Sequence, residues 1–280
     1  MTTRRQFLKV LGAATAAWPA LAAINGVEIG VCSPPYNLGK ATHYGFDYLE
    51  PAGAAIAEMD DAAFKSFKQR VLASTIRCEC FNTFITRLRV VGHDVHPDAL
   101  QEYVETTLER CRQLGGKIAV WGSARSRNVP DGFSRARAWE QIQLFLRMAG
   151  GVARRKGMVM AIEPLRHQES NILNTGAEAL RMVRDVDHSN VRMIIDFYHL
   201  REENENPEII WTARKQIVHF HFANPHGRLW PRSPAEDPEY PVFFNLVKKI
   251  QFRGGISIEA KGSFEKDAAA SMAFFREELG

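Results

Sequence analysis

Beyond residue 22 the chain has no apolar run long enough to cross a bilayer. It is also poor in net charge. The formal value is +4, but Arg4, Arg5 and Lys9 lie in residues 1–22, which carry no acid, so the remainder holds only +1. A nearly neutral body gives no electrostatic ground for a nucleic-acid or membrane partner. Cysteine is scarce, with Cys32, Cys78, Cys80 and Cys111 alone in 280 residues. A zinc-finger reading of Cys78 and Cys80 is poor. Two apart on a strand pattern, those two thiols should face the same side. Free buried thiols are the expectation; four cysteines allow three full pairings, and sequence does not choose among them. No linker, low-complexity run or shift in composition divides the body, so residues 23–280 read as one domain. The first βα turn lacks a Gly-x-Gly-x-x-Gly fingerprint, which weighs against an open dinucleotide-binding sheet.

What is present begins with an export pattern. Thr3-Arg4-Arg5-Gln6-Phe7-Leu8-Lys9 is a twin-arginine sequence. An alanine-rich apolar run, Val10 to Trp18, follows it, and Ala20-Leu21-Ala22 offers small residues for cleavage. Residues 1–22 are therefore expected to be a signal peptide that sends the folded protein to the periplasm or beyond, with no stable membrane association after its removal.

The body alternates strand and helix patterns. Strands are expected at Val27–Cys32, Tyr44–Glu50, Thr75–Phe81, Lys117–Trp121, Met158–Ile162, Val191–Asp196, Gln216–Phe222 and Gly255–Glu259. Amphipathic helices are expected from Asp60 to Leu72, Pro97 to Leu114, Ser134 to about Lys156, Thr175 to Val186, Pro207 to Arg214, Tyr240 to Phe252 and Phe264 to Leu279. Strands separated by helices must run parallel, because the crossover returns the chain to the same edge. Eight such units in roughly 250 residues match a single (β/α)8 TIM barrel.

The ends of the later strands carry the chemistry. Met158 to Ile162 is apolar and stops at Glu163, with Pro164 forbidding an ordinary ladder continuation. The sixth strand ends at Asp196, the seventh carries His219 and His221, and the eighth ends at Glu259. A charge at the end of a buried strand is costly unless something uses it. In a barrel all four ends meet at one mouth. Three carboxylates gathered there would repel, and a divalent cation removes the conflict. Three oxygens and one imidazole suit Mn²⁺, Mg²⁺, Co²⁺ or Zn²⁺. His221, nearer the mouth, is the expected ligand; His219, one layer deeper, reads as a hydrogen-bonded core histidine.

Several stretches also carry a family resemblance. Gly122-Ser-Ala-Arg-Ser-Arg-Asn-Val-Pro-Asp-Gly132, Ile162-Glu-Pro-Leu-Arg-His-Gln-Glu-Ser-Asn171, Asp196-Phe-Tyr-His199, His219-Phe-His221 and Ile256-Ser-Ile-Glu259 resemble the xylose isomerase-like TIM-barrel superfamily. The likeness is to its sugar phosphate isomerase/epimerase branch, which includes ketose 3-epimerases and hydroxypyruvate isomerase. It implies one divalent metal, Mn²⁺ first, held by Glu163, Asp196, His221 and Glu259. It implies that Glu163 and Glu259 exchange the proton on carbon next to a carbonyl, through an enediolate, in a sugar or sugar derivative. Glu169, His199 and Arg228 would contact that substrate. A homo-oligomer is left open. In the epimerases the seventh-strand histidine is followed by a Gly-Glu pair and a nearby arginine; here Phe222-Ala-Asn-Pro-His-Gly-Arg228 follows, with the acid missing and the arginine displaced. Arg125 and Arg127 read either as contacts for a substrate phosphate or as a solvated loop.

Three other functions fit parts of the pattern. A metal-dependent dehydratase of polyols could use the same base and ion. A non-catalytic periplasmic sugar-binding protein would not need two opposed carboxylates. An AP-endonuclease-like enzyme would need further histidines at the early strand ends, where this chain has Glu50 and Asn82.

Overall fold

A computed structural model describes residues 23–280. The expected signal at residues 1–22 lies outside the described residues. In chain order the elements are β1 (Val27–Cys32), α1 (Leu38–His43), β2 (Tyr48–Glu50), α2 (Gly53–Ala57), α3 (Asp61–Ala73) and β3 (Cys80–Phe81). Then come α4 (Pro97–Gln113), β4 (Ile118–Trp121), α5 (Ala124–Arg127), α6 (Arg135–Arg155), β5 (Val159–Ile162), α7 (Gly176–Val186) and β6 (Val191–Asp196). The chain closes with α8 (Phe197–Glu202), α9 (Ile209–Ala213), β7 (Ile217–Phe222), α10 (Tyr240–Lys249), β8 (Gly254–Ile258) and α11 (Phe264–Leu279).

The eight strands form one parallel sheet in the order β2-β1-β8-β7-β6-β5-β4-β3. The seam between β2 and β3 is joined by two parallel bridges, Tyr48 with Arg77 and Ala52 with Asn82. This is the (β/α)8 barrel expected from the sequence. The two strands at the seam are shorter than their patterns suggest. Tyr44 ends α1 and Gly45 turns the chain at φ 79°, so β2 starts at Tyr48. In the third stretch the amides of Lys117 and Ile118 both bond Glu79 O, a shared acceptor that breaks the regular ladder. Cys78 and Cys80 consequently part company. Cys78 packs in the outer core beneath the helices and Cys80 inside the barrel, against the expectation that they share a side. All four cysteines are free thiols.

The helices start where the sequence places their caps. Asp60 accepts from Ala63 N at 2.7 Å, Ser134 from Arg137 N at 3.3 Å and Thr175 from Glu178 N at 3.1 Å. Side-chain alternation along each strand then sorts the residues into two sets. Ile29, Leu49, Phe81, Trp121, Ile162, Ile195, Phe222 and Ile258 face outward into the main core. On β7 and its neighbours that core is aromatic, with Phe197 stacked on Phe222 at 4.6 Å between centroids and both against Phe243. The inward set includes Tyr48, Cys80, Val120, Ala161 and Ile194 in one layer. Two residues further along come Glu50, Gly122, Glu163 and Asp196, and β7 and β8 bring His221 and Glu259 to the same end.

Candidate active site

Each functional side chain stands one pleat beyond an inward-facing core residue. Glu163 follows β5, Glu259 follows β8, Asp196 ends β6 and His221 lies inside β7. One ligand-capable atom from each of the four lies within 4.8 Å of the others. His221 Nδ1 is 2.9 Å from Glu163 Oε1 and 3.3 Å from Glu259 Oε2. Glu163, Asp196 and His221 are buried, while the Glu259 side chain keeps 22% of its exposure and opens the cluster to the mouth. Room for the Glu163 carboxylate is made by Gly122 on the neighbouring strand: a Cβ there would sit 1.6 Å from Glu163 Oε2.

The electrostatics follow from burial opposed by a few cations. Burial works against ionisation of Glu259, but Arg228 and His221 outweigh it and hold its carboxyl at about 2. Arg228 Nη2 donates to Glu259 Oε2 at 2.6 Å. Burial dominates at Asp196, 3.7 Å from the same guanidinium, and pushes its carboxyl up to about 7. Burial also raises Glu163. His221 meets the cost of burial too, yet Glu50, then Cys32 and the site carboxylates, lift its pKa well above the usual imidazole value. His199 is pushed down to about 3 by burial and by Arg228.

The arrangement fits a divalent cation. Asp196 Oδ1 accepts from Tyr198 N at 2.7 Å, capping α8, while the buried Oδ2 has no hydrogen-bond partner. His199 Nε2 is likewise buried and unpartnered, 3.5 Å from that oxygen. Three carboxylates and an imidazole are a hard donor set of the kind that suits Mn²⁺ or Mg²⁺. Glu163, Asp196, His221 and Glu259 would hold the ion.

The expected substrate contacts flank this cluster. Glu169 is half-buried, accepts from Arg166 Nε at 2.8 Å and lies 3.6 Å from Arg228 Nη1. His199 is brought in by α8, a helix not expected from the sequence, and its Nδ1 accepts from Arg166 N at 3.2 Å. Arg228 adopts a left-handed backbone, φ 57°, at which its guanidinium reaches both Glu259 and the face of Tyr198, 4.9 Å away. A cavity of about 380 Å³ is lined by Glu259 and Arg228 together with Pro34, Pro35, Ala52 and Ala55.

Two residues play parts that sequence reasoning missed. Arg127 is neither a phosphate contact nor a solvated loop residue. It is fully buried and donates to Trp121 O at 2.9 Å and Glu163 O at 2.7 Å, tying the ends of β4 and β5 together. Its alternation with exposed Arg125 on the one-turn helix α5 hides it from a linear reading. Glu50 is fully buried and bonds His221 Nε2 at 2.9 Å. A signal for it did exist, since Glu50-Pro51 repeats the Glu163-Pro164 pattern of a strand stopped at a carboxylate.

This fold and this mouth define a class. The chain belongs to the xylose isomerase-like TIM barrel family, whose model matches residues 38–278. Among its relatives is the 3-dehydro-D-guloside 4-epimerase of Escherichia coli K12, 27% identical over 260 residues, covering 86% of this chain and 95% of the relative. The D-psicose 3-epimerase of Agrobacterium fabrum is 26% identical over 211 residues, covering 70% of this chain and 68% of the relative. Among solved structures, a 3-keto-D-glucoside 4-epimerase from E. coli superposes with a TM-score of 0.73 at 21% identity over 90% of this chain and 97% of that one. A D-psicose 3-epimerase from Clostridium cellulolyticum H10, solved with D-tagatose, gives 0.78 at 18% identity over 90% and 99%. The isomerase class expected from the sequence is the class of these named relatives.

Proposed function

We propose that this enzyme is a divalent-metal-dependent sugar epimerase or isomerase that moves a proton at carbon next to a carbonyl. The observation that carries the reading is the convergence of Glu163, Asp196, His221 and Glu259 within 4.8 Å. A divalent ion held there, Mn²⁺ first, would act as a Lewis acid on the carbonyl and adjacent hydroxyl oxygens of the sugar. Glu163 and Glu259 are the proton carriers. Inversion needs one carboxylate to take the proton and a second, protonated one to give a proton back on the opposite face. Arg228 bonds Glu259, whereas Glu163 stands on the other side of His221 Nδ1, so the two carboxylates occupy different surroundings. In one direction Glu259 removes the proton, the electron pair stays on the sugar as an enediolate, and Glu163 protonates the opposite face. Return of the proton to the neighbouring carbon gives aldose–ketose isomerisation instead. His199 presents Nε2 and Arg228 its guanidinium to substrate oxygens, and Glu169 holds Arg228 from the other side.

The substrate is a sugar or glycoside bearing a carbonyl. Support comes from relatives of both kinds, a dehydro-guloside 4-epimerase and ketose 3-epimerases. Metal analysis of the purified protein followed by solvent deuterium exchange into free ketoses and 3-keto-glycosides tests the reading. Deuterium should enter one carbon next to the carbonyl, and only with metal present. Metal binding without C–H exchange in any member of the panel would overturn proton transfer. Export rests on the Thr3–Lys9 pattern. Fractionation should find the wild type in the periplasm and an Arg4→Lys, Arg5→Lys variant in the cytoplasm, and equal distribution would remove this part of the proposal.

A further inference from the structure

Beside the four-residue cluster lies a polar group that the proposed proton transfer does not use. Glu50 ends β2 with no exposure to solvent. Its Oε1 lies 2.9 Å from His221 Nε2, and its Oε2 lies 3.0 Å from His219 Nε2. Ser257 Oγ donates to the same Oε2 at 2.5 Å, and Tyr48 OH is 2.8 Å from Ser257 Oγ. Strands β2, β7 and β8 are thus joined inside the barrel through one carboxylate whose two oxygens face three side-chain partners. It cannot turn without breaking several hydrogen bonds. The layer is built to admit this group. Gly30 on β1 lies under the Tyr48 ring, and a Cβ there would sit 2.1 Å from it. A barrel interior is ordinarily packed with branched apolar side chains, and a buried polar network is costly unless its members satisfy one another.

The consequence falls on His221. A neutral imidazole has one donor nitrogen and one acceptor nitrogen. A carboxylate facing Nε2 accepts the proton held there, so an ion that displaced the Nδ1 proton would meet the lone pair of that nitrogen. Nδ1 is the nitrogen that faces Glu163 and Glu259.

We propose that Glu50 is a positioning residue that fixes the orientation and tautomer of His221, so that Nδ1 is presented to the divalent ion, with Ser257, His219 and Tyr48 holding Glu50 in place. This rests on the metal-dependent reading above. The experiment is calorimetric titration of Mn²⁺ into the metal-free full-length protein, its Glu50→Gln variant and its Ser257→Ala variant, with thermal unfolding of each metal-free protein measured alongside. Wild type should bind one ion per chain. Glu50→Gln should unfold cooperatively without metal but bind Mn²⁺ about 10–100-fold more weakly, the usual cost of losing a partner behind a metal-bound histidine. Ser257→Ala, which removes a hydroxyl bonded to Glu50 and Tyr48 rather than to a proposed ligand, should weaken binding less and in the same direction. Should Glu50→Gln fail to fold, Ser257→Ala decides the matter. Wild-type affinity in a folded Glu50→Gln, or in Ser257→Ala where Glu50→Gln does not fold, overturns the assignment. So does a stoichiometry of two ions, which would make Glu50 a ligand with His219 and Cys80. Failure of the wild type to bind any divalent ion would instead overturn the metal reading itself.

Discussion

Two walls of the same barrel interior are built on opposite principles. Across β4, β5 and β6 the inward layer below the mouth is Val120, Ala161 and Ile194, small and apolar, packed against one another. Across β7, β8 and β2 the interior holds His219, Ser257 and Tyr48, joined by hydrogen bonds through Glu50 to His221. Both walls are buried, so burial alone does not tell them apart. The apolar wall gains by leaving water and needs no partner of defined geometry. The polar wall forfeits hydration and recovers it only if every donor meets an acceptor. A protein gains little stability from that exchange, so the polar wall is best understood through what it holds at the mouth. The difference teaches that Glu163, Asp196 and Glu259 are set by strand ends, whereas His221 is set by its neighbours below.

The contrast can be broken by experiment, because changes near the polar wall should cost activity and those on the apolar wall stability. The largest effect belongs to the proposed proton carriers and the proposed ion. Glu259→Gln should lower turnover by about 10²–10⁴-fold, the usual worth of a general base, while circular dichroism stays that of the wild type. Near-normal turnover would remove Glu259 from the chemistry. Chelation should bring the wild type to background in the same assay, with Mn²⁺ restoring it and raising the melting temperature by preferential binding to the folded chain.

Next comes Asp196, where the expected sign depends on metal. Its carboxyl sits at about 7 in the metal-free fold against an ordinary 3.8. Between those values the folded chain keeps a proton that the unfolded chain releases, so rising pH favours unfolding through this group. Asp196→Asn removes that penalty and keeps an oxygen for Tyr198 N. Metal-free Asp196→Asn should therefore melt above the wild type at pH 8, with the gap closing towards pH 4. Mn²⁺ should reverse the order, because only the wild type retains the proposed ligand. A gap that does not change with pH would show that burial is not what strains this carboxyl. The smallest effect is on the apolar wall. Ile194→Val should cost about 0.5–1.5 kcal/mol in denaturant unfolding and leave turnover per folded molecule unchanged. A larger loss of turnover than of stability would show that this wall also positions the site.

How much of this was legible in the linear chain follows from periodicity. Repeated βα units impose parallel strands, parallel strands in a closed sheet put every C-terminal end on one face, and period-two alternation puts residues 163, 196, 221 and 259 inward. The barrel and the meeting of those four side chains needed nothing more. His219 was also readable as a hydrogen-bonded core histidine, because it lies one pleat below His221. What the pattern could not reveal depends on which strands become neighbours and on which way a short segment turns. The sheet order β2-β1-β8-β7 brings Glu50 to His221 across 171 positions of sequence. The single turn of α5 drives Arg127 inward to bond Glu163 O while Arg125 stays outside. The shared acceptor at Glu79 O sends Cys78 and Cys80 to different cores.

The sequence by itself determined the barrel, the place of the mouth and the set of charges there, because these follow from local periodicity repeated eight times. Only the tertiary structure decided which nitrogen of His221 faces those charges and what holds it. A hydrogen bond between distant strands depends on ladder register and side-chain reach, and neither is written in the spacing of residues along the chain.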